Sequence, residues 1–330
     1  MISIKNNSND PHFNLALEEY ALKYLNPEEN YVILWQNEPS VIIGRNQNTI
    51  EEINTTYVKE KGINVVRRLS GGGAVYHDFG NLNFTFIVTI KDEGDVNNFK
   101  KFTEPVIKAL AKFGIEAELS GRNDITIDGK KFSGNAQYFY KNRLLHHGTI
   151  LFDSNLGVVQ ETLNVKQEKI ESKGVKSVKS RVTNIHPYLK EKITVDAFKE
   201  ALLNYLLEGE EDKKQYTLTK EDLRKIKELM EERYLKWGWN YGESPKYSIQ
   251  KNKRFIWGGL DLRLEVKSGI IQDCVIYGDF FGHHEISTLT EKLKGIQYRE
   301  EEVAEALKNI DLSPYFKGIE EGDFLACMFS

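Results

Sequence analysis

Hydrophobic and polar positions change their period several times along the chain, and each change predicts an element. After Asp10-Pro11, the residues Phe13, Leu17, Tyr20, Ala21 and Tyr24 recur at helical spacing, which predicts an amphipathic helix. Two short apolar runs, Tyr31–Trp35 and Val41–Ile43, read as strands joined around Pro39. The run Ile63–Val66 reads as a strand entering a glycine-rich stretch, and Phe84, Phe86 and Val88 alternate on the strand leaving it. Phe102, Val106, Leu110 and Phe113 then mark one face of a helix, with Pro105 expected in its first turn. Asp128-Gly129 lies between two alternating segments, a strong hairpin signal. On the return strand Lys131 and Ser133 are expected to share one face, with Phe132 on the other. Ile150-Leu151-Phe152 predicts one more strand.

Two helices follow, one using Phe198, Ala201, Leu202, Tyr205 and Leu206, the other Leu223, Ile226, Met230 and Tyr234. Thr219 with Asp222 three residues on predicts a capping box for the second, and the charged segment Glu208–Lys214 separates the two. Gly242-Glu243-Ser244-Pro245 predicts a domain boundary, dividing the chain into 1–243 and 244–330. Beyond it Leu260, Leu262, Leu264 and Val266 alternate, Gly269 turns, and Ile271 through Ile276 return. Two helices are expected to finish this small α+β module, the last using Val303, Ala306, Leu307 and Ile310.

Composition narrows the function classes. A chain of 330 residues with a formal charge of -4 has ample core and no basic field, so broad nucleic-acid binding is not expected. With only Cys274 and Cys327, neither a disulfide framework nor a cysteine-rich metal site is indicated. The first residues lack an apolar signal core and no run of about 18 apolar residues occurs, so the cytoplasm is the expected compartment, with no membrane partner. Adjacent His146 and His147 point to opposite faces of a strand and cannot both ligate one metal. One of them is expected to be a hydrogen-bonded core histidine, and zinc is not expected.

The candidate chemistry centres on Arg67–Thr85. Gly71, Gly72 and Gly73 let a backbone approach a ligand with no Cβ in the way, and their N–H groups can form an anion-binding nest. Arg67 and Arg68 stand just before them and can fork onto carboxylate or phosphate oxygens. A phosphate-binding P-loop would end in Gly-Lys-Ser/Thr, where Ala74-Val75-Tyr76 stands, and Tyr76 takes the place of the third glycine of a dinucleotide fingerprint. Lys131 either faces solvent on its hairpin or faces a ligand; the small and amide residues Ser133-Gly134-Asn135-Ala136-Gln137 suit a ligand-facing wall. Trp35 fits the core or the wall of an apolar pocket. Residues 161–184, rich in lysine, read equally as a solvated loop or as a flap that orders over an anionic ligand.

Taken in order, Arg-Arg-x-Ser-Gly-Gly-Gly-Ala-Val-Tyr-His-Asp from Arg67, Asn123-Asp124, Gly129-Lys130-Lys131-Phe132-Ser133-Gly134-Asn135-Ala136 and His146-His147-Gly148-Thr149 resemble the lipoate–protein ligases of the biotin/lipoate ligase superfamily. The module with Phe255-Ile256-Trp257-Gly258-Gly259 resembles their accessory domain. The resemblance implies an α+β fold: a mixed-sheet catalytic domain, related to biotin ligases and class II synthetases, plus a small α+β accessory domain. It implies that lipoate and Mg-ATP give lipoyl-adenylate, and that the acyl group then passes to a lysine of a lipoyl domain, in E2 subunits or in the glycine-cleavage H protein.

By the same resemblance Lys131 is the catalytic lysine. Arg68, Gly73, Ala74, Val75, Tyr76, Asn123, Asp124, Lys131, Arg181 and Val182 hold ATP and adenylate, with residues 172–184 as the adenylate-binding loop and Asp124 as the Mg²⁺ ligand. Trp35, Arg68, Ser70, Gly71, Gly72, Gly73, His77, Lys131, Gly134, Ala136, His147 and Gly148 hold lipoate, with Tyr76 a further candidate for its tunnel. The nearest alternative is an octanoyl or lipoyl transferase of the same fold, but no cysteine nucleophile occurs before Cys274. Biotin ligase is disfavoured by the absence of its Gly-Arg-Gly-Arg loop, and a non-catalytic lipoate or nucleotide carrier by the intact Lys131.

Overall fold

A computed structural model describes residues 1–90, 97–163, 182–208, 214–241, 249–267, 269–320 and 322–329. The expected boundary at Gly242–Pro245, Arg181 and most of the lysine-rich segment lie outside these residues.

Asp10 opens the first helix, Pro11–Tyr24: its side chain accepts from the His12 N–H, and Pro11 supplies a preset φ where no amide hydrogen is needed. This helix is not amphipathic in the expected sense. Every residue from Asn14 to Leu22 is buried, Glu18 and Glu19 included, while Tyr24 on the predicted apolar face is exposed. The helix is enclosed because a sheet lies on one side and the helix Lys220–Leu229 crosses the other. The buried Glu19 carboxylate is paired there with Lys23 and Arg233, both at 2.6 Å, and accepts from the Tyr234 hydroxyl.

The strands of the first unit are β1 (Ile2–Ile4), β2 (Tyr31–Trp35), β3 (Ser40–Ile43), β4 (Asn64–Arg67), β5 (Val75–His77), β6 (Asn81–Thr89), β7 (Glu118–Ser120), β8 (Asp124–Ile127), β9 (Lys130–Tyr140), β10 (Arg143–Leu151) and β11 (Gln215–Tyr216). Eight of them form a mixed sheet in the order β11-β1-β2-β6-β10-β9-β8-β7, and β4-β3-β5 form a small separate sheet. Thus the two strands expected to be joined around Pro39 belong to different sheets. Part of the presumed loop is itself β5, which pairs antiparallel with β3.

One face of the large sheet packs Val32, Leu34, Phe84, Phe86, Leu144 and Phe132 against the helices Phe99–Lys112 and Val195–Leu206. The other presents Ile33, Trp35, Ile87 and Leu145 toward the first helix and toward Ile42 and Val66 of the small sheet. The helix Phe99–Lys112 starts earlier than expected, capped by the Asn98 side chain, and places Pro105 in its interior. Pro105 is on the exposed side, where water can satisfy the carbonyl that its missing N–H leaves free. The capping box of Thr219 and Asp222 forms as expected, but Leu223 is exposed while Asp222 is buried, accepting from Tyr20 and Tyr216.

The C-terminal unit packs a three-stranded antiparallel sheet, β12 (Ile249–Phe255), β13 (Gly258–Lys267) and β14 (Ile270–Gly278), against helices Ile286–Leu293, Glu300–Leu307 and Asp323–Phe329. The last of these, with Phe324, Cys327 and Met328 buried, is a third helix where two were expected. The unit docks on the first through the turns around Arg45 and Arg122. The Gly278 N–H donates to the Asn46 carbonyl at 2.8 Å, Arg45 pairs with Glu285, and the Arg122 guanidinium donates to the carbonyls of Trp257 and Asp279. No helix among the described residues is long and apolar enough to cross a membrane.

Candidate active site

The small sheet lies over the first-helix face of the large one, and the gap between them is a cavity. Its walls include Trp35, Arg68, Gly72, Gly73, Ala74, Val75, His77, Asn123, Lys131, Gly134, Ala136, His147 and Gly148, all of them singled out in the sequence. Leu15, Ile42, Asn83, Asn135 and Thr149 complete it.

The cavity crosses the sheet. Trp35 on β2 is registered with Asn83 on β6, and Asn83 with Thr149 on β10. The Thr149 hydroxyl accepts from the Gly134 N–H on β9 at 3.1 Å. Three strand steps of about 4.8 Å put Trp35 some 14 Å from the β9 end. Lys131 stands at that end.

Lys131 does not share a face with Ser133. Thr126 is opposite Lys131 and Ile125 is opposite Ser133, so Phe132 is an extra residue, a β-bulge. The bulge turns both Phe132 and Ser133 into the sheet's interior, each fully buried, and leaves Lys131 on the side of Gly134. A Cβ added to Gly134 would meet Lys131 Nζ at 2.9 Å. The ammonium is held 2.7 Å from Asp124 Oδ1, and the Thr183 N–H donates to the Lys131 carbonyl, which brings Val182 alongside as a one-residue bridge. Asn123 is locked to Asn135 through reciprocal side-chain and backbone hydrogen bonds.

The two arginines differ from the expected anion forks. Arg67 points away from the cavity and donates to the carbonyls of Gly44, Arg45, Gln47 and Trp239 and to the Thr49 hydroxyl. Arg68 lines the cavity but holds its own loop, donating to Ser70 Oγ and to the carbonyls of Ile42, Gly71 and Gly73. Burial lowers both guanidinium groups to about 10, which leaves them charged at neutral pH. The loop they shape requires glycine at Gly72, whose φ is +88° and whose added Cβ would press on Arg68 and on the Phe281 ring of the C-terminal unit. Gly71 is covered by Phe280 and Phe281, and the Tyr76 ring packs into the far core of the small sheet, so neither side faces the cavity. Gly148 is glycine for packing, because a Cβ there would lie 2.2 Å from Asn135 Oδ1 and 2.4 Å from the Phe84 ring.

Behind the cavity wall runs a chain of buried hydrogen bonds. Trp35 Nε1 donates to Thr85 Oγ1 at 2.9 Å, and Thr85 donates to Glu18 at 2.5 Å. The Glu18 carboxylate also takes His147 Nδ1, at 3.0 Å, and His147 Nε2 meets Ser70 Oγ at 2.6 Å. A carboxylate only accepts, so His147 Nδ1 carries the proton; Arg68 Nε donates to Ser70, leaving the serine hydrogen for Nε2. His146, on the opposite face, is enclosed by Phe84, Phe86, Phe99 and Phe102, and burial holds it well below the usual histidine range. It is the expected core histidine. Glu18, Asn83 and Thr85 escaped the sequence reading, although Asn81, Asn83 and Thr85 form the polar half of the alternation of which only Phe84, Phe86 and Val88 were used.

A family model described as the lipoyl protein ligase A/B catalytic domain matches residues 10–207, and one described as the bacterial lipoate protein ligase C-terminus matches residues 244–328. Over all of both chains, the protein is 53% identical to lipoate-protein ligase LplJ of Bacillus subtilis. The chain belongs to the lipoate–protein ligase family. It is 46% identical to lipoate–protein ligase 1 of Staphylococcus aureus over 98% of each chain. The structure of P. falciparum LipL1 in complex with lipoate superposes with a TM-score of 0.77 at 30% identity, over 99% of this chain and 97% of that one. A lipoate-protein ligase A bound with ATP superposes with a TM-score of 0.64 at 27% identity, over 73% and 98%. As in the family's mixed α+β architecture, catalytic and C-terminal units are both present in this ligase. The thiols of Cys274 and Cys327 are buried in the C-terminal unit and pushed up to about 12, which leaves neither as a thiolate for acyl transfer.

Proposed function

We propose that this ligase joins free lipoate to ATP at the Lys131 end of the cavity, releasing pyrophosphate, and passes the lipoyl group from the adenylate to a lysine of an apo lipoyl domain. The acceptors are the E2 subunits of 2-oxoacid dehydrogenases and the glycine-cleavage H protein, and the reaction runs in the cytoplasm. The observation that carries this reading is a lysine ammonium, beside an acidic side chain, at one end of a cavity that combines polar and apolar walls and runs across the sheet to Trp35.

Adenylation brings a carboxylate against an α-phosphate. Two unit charges at about 4 Å and an effective dielectric of about 20 repel by about 4 kcal/mol, roughly a thousandfold in rate. Lys131 Nζ, leaving Asp124 for the ligands, neutralises both and then stabilises the acyl oxygen as it gains charge in transfer. The acyl chain lies across the sheet toward Trp35; its four methylenes, at about 0.8 kcal/mol each, contribute about 3 kcal/mol when buried. The backbone of Gly73–Val75, with Asn123 and Val182, flanks the nucleotide, and Arg68 keeps the glycine turn in shape. Arg181, proposed for the same role, lies outside the described residues.

Asp124 also suits Mg²⁺. No group of three or more His, Cys, Asp and Glu side chains is placed to hold a metal among the described residues. A single carboxylate nevertheless fits an ion that takes most of its ligands from phosphates and water. Bound there, the ion would offset phosphate charge.

Exchange of labelled pyrophosphate into ATP, dependent on lipoate, tests the first step, and mass gain of an apo lipoyl domain tests the second. Absence of exchange with active protein would overturn the reading.

A further inference from the structure

Two buried donors lining the cavity, His77 Nε2 and Asn83 Nδ2, are left without a partner by the mechanism above, and His77 is the ring whose protonation its neighbours fix. His77 Nε2 has no hydrogen-bond partner, although the residue is only 3% exposed and lines the end of the cavity farthest from Lys131, where its ring meets Trp35 edge-on at 6.1 Å. The protonation of this nitrogen follows from its surroundings. Asn14 Nδ2 donates to the backbone carbonyls of Ser8 and Gln36, which fixes the orientation of that amide. The same nitrogen donates to Asn37 Oδ1 at 2.9 Å, so Asn37 presents its Nδ2 to His77 Nδ1 at 3.1 Å. His77 Nδ1 is therefore an acceptor, and the ring hydrogen sits on Nε2. Burial, with the Arg68 charge and His147 nearby, pushes the ring down to about 3, so it stays neutral.

We propose that His77 reads the far end of the acyl substrate, its Nε2–H donating to a ring sulfur of a bound 1,2-dithiolane, so that the site prefers a sulfur-bearing terminus to a plain hydrocarbon one. This rests on the cavity being the acyl site of a lipoate ligase. Divalent sulfur is a weak acceptor and a favourable neighbour for an aromatic ring; this end of the cavity offers the Trp35 indole wall, His77 Nε2 beside it and, on the neighbouring strand, a second buried donor, Asn83 Nδ2. A hydrocarbon terminus fills the same space but leaves the donor buried and unpaired, and a site built around a hydrogen bond rejects the analogue that lacks it. The tautomer is held by side chains outside the cavity, so the donor is already in place before the substrate arrives.

The probes are lipoate, octanoate and 5-cyclopentylpentanoate, the last replacing both sulfurs by methylenes in a ring of the same size. The readout is kcat/KM for acid-dependent ATP–pyrophosphate exchange by the full chain. The wild type is expected to favour lipoate over the cyclopentyl acid by about tenfold, the worth of one hydrogen bond to a buried donor. H77F should bring that ratio toward one, by loss on lipoate together with gain on the cyclopentyl acid, which no longer buries an unpaired donor, and H77Q, which keeps an N–H donor, should retain part of it. Should H77F fail to fold, the wild-type ratio and H77Q decide. Equal use of both acids by the wild type, or an unchanged ratio in the folded H77F protein, overturns the proposal. Failure of the wild type to exchange with any of the acids would instead overturn the ligase reading itself.

Discussion

Lys131 Nζ and Asp124 Oδ1 lie 2.7 Å apart across the β8–β9 hairpin, so the cation proposed to join two anions is already held by an anion. The pair is partly exposed and contributes little to stability. Its value is positional: the carboxylate holds the ammonium at the cavity end and is itself the ligand proposed for Mg²⁺. D124N removes the charge while keeping the shape. It is expected to raise the Mg²⁺ concentration needed for half-maximal pyrophosphate exchange by about tenfold or more, the worth of about 1.4 kcal/mol in a charge-assisted contact. An unchanged Mg²⁺ titration would remove Asp124 from metal binding.

Glu18 accepts from Thr85 and His147, and through His147 and Ser70 it reaches the arginine that shapes the glycine turn. E18Q substitutes an amide whose NH₂ must face one of those donors. Urea unfolding should show a loss of about 1–3 kcal/mol, the usual cost of a buried group left unpaired. The KM for lipoate should rise in the folded variant.

Stability should fall as the pH drops below 6.5. His77 has a folded-state pKa of about 3 against 6.5 in the unfolded chain, so between those values the unfolded state binds a proton that the folded state does not. From pH 6.5 to 5 this one ring accounts for at most about 2 kcal/mol, and the slope should flatten in H77Q. His146, lowered in the same direction by burial, adds to the slope in both proteins. Urea midpoints measured at pH 7, 6 and 5 give the comparison.

Much of the site is legible in the sequence because its chemistry is concentrated in short segments: the glycine turn, the Asp-Gly hairpin and the His146-His147 pair. What local spacing could not convey is long-range. Glu18 reads as the polar side of a helix until a sheet and a second helix are seen to enclose it. Arg68 reads as an anion fork until its donors are seen on the carbonyls of its own turn. The side of the sheet that Lys131 faces depends on a bulge at Phe132, which adds one residue without altering the apolar pattern. Pro105 was misplaced because an exposed carbonyl tolerates a missing donor, so the helix runs through it.

The most direct measurement is lipoate-dependent ATP–pyrophosphate exchange by K131A. The side chain is partly exposed and sits outside the core, so the circular-dichroism spectrum should match the wild type. Exchange should fall by about a thousandfold or more, the rate equivalent of the roughly 4 kcal/mol of uncompensated repulsion. Wild-type exchange by folded K131A would contradict the account.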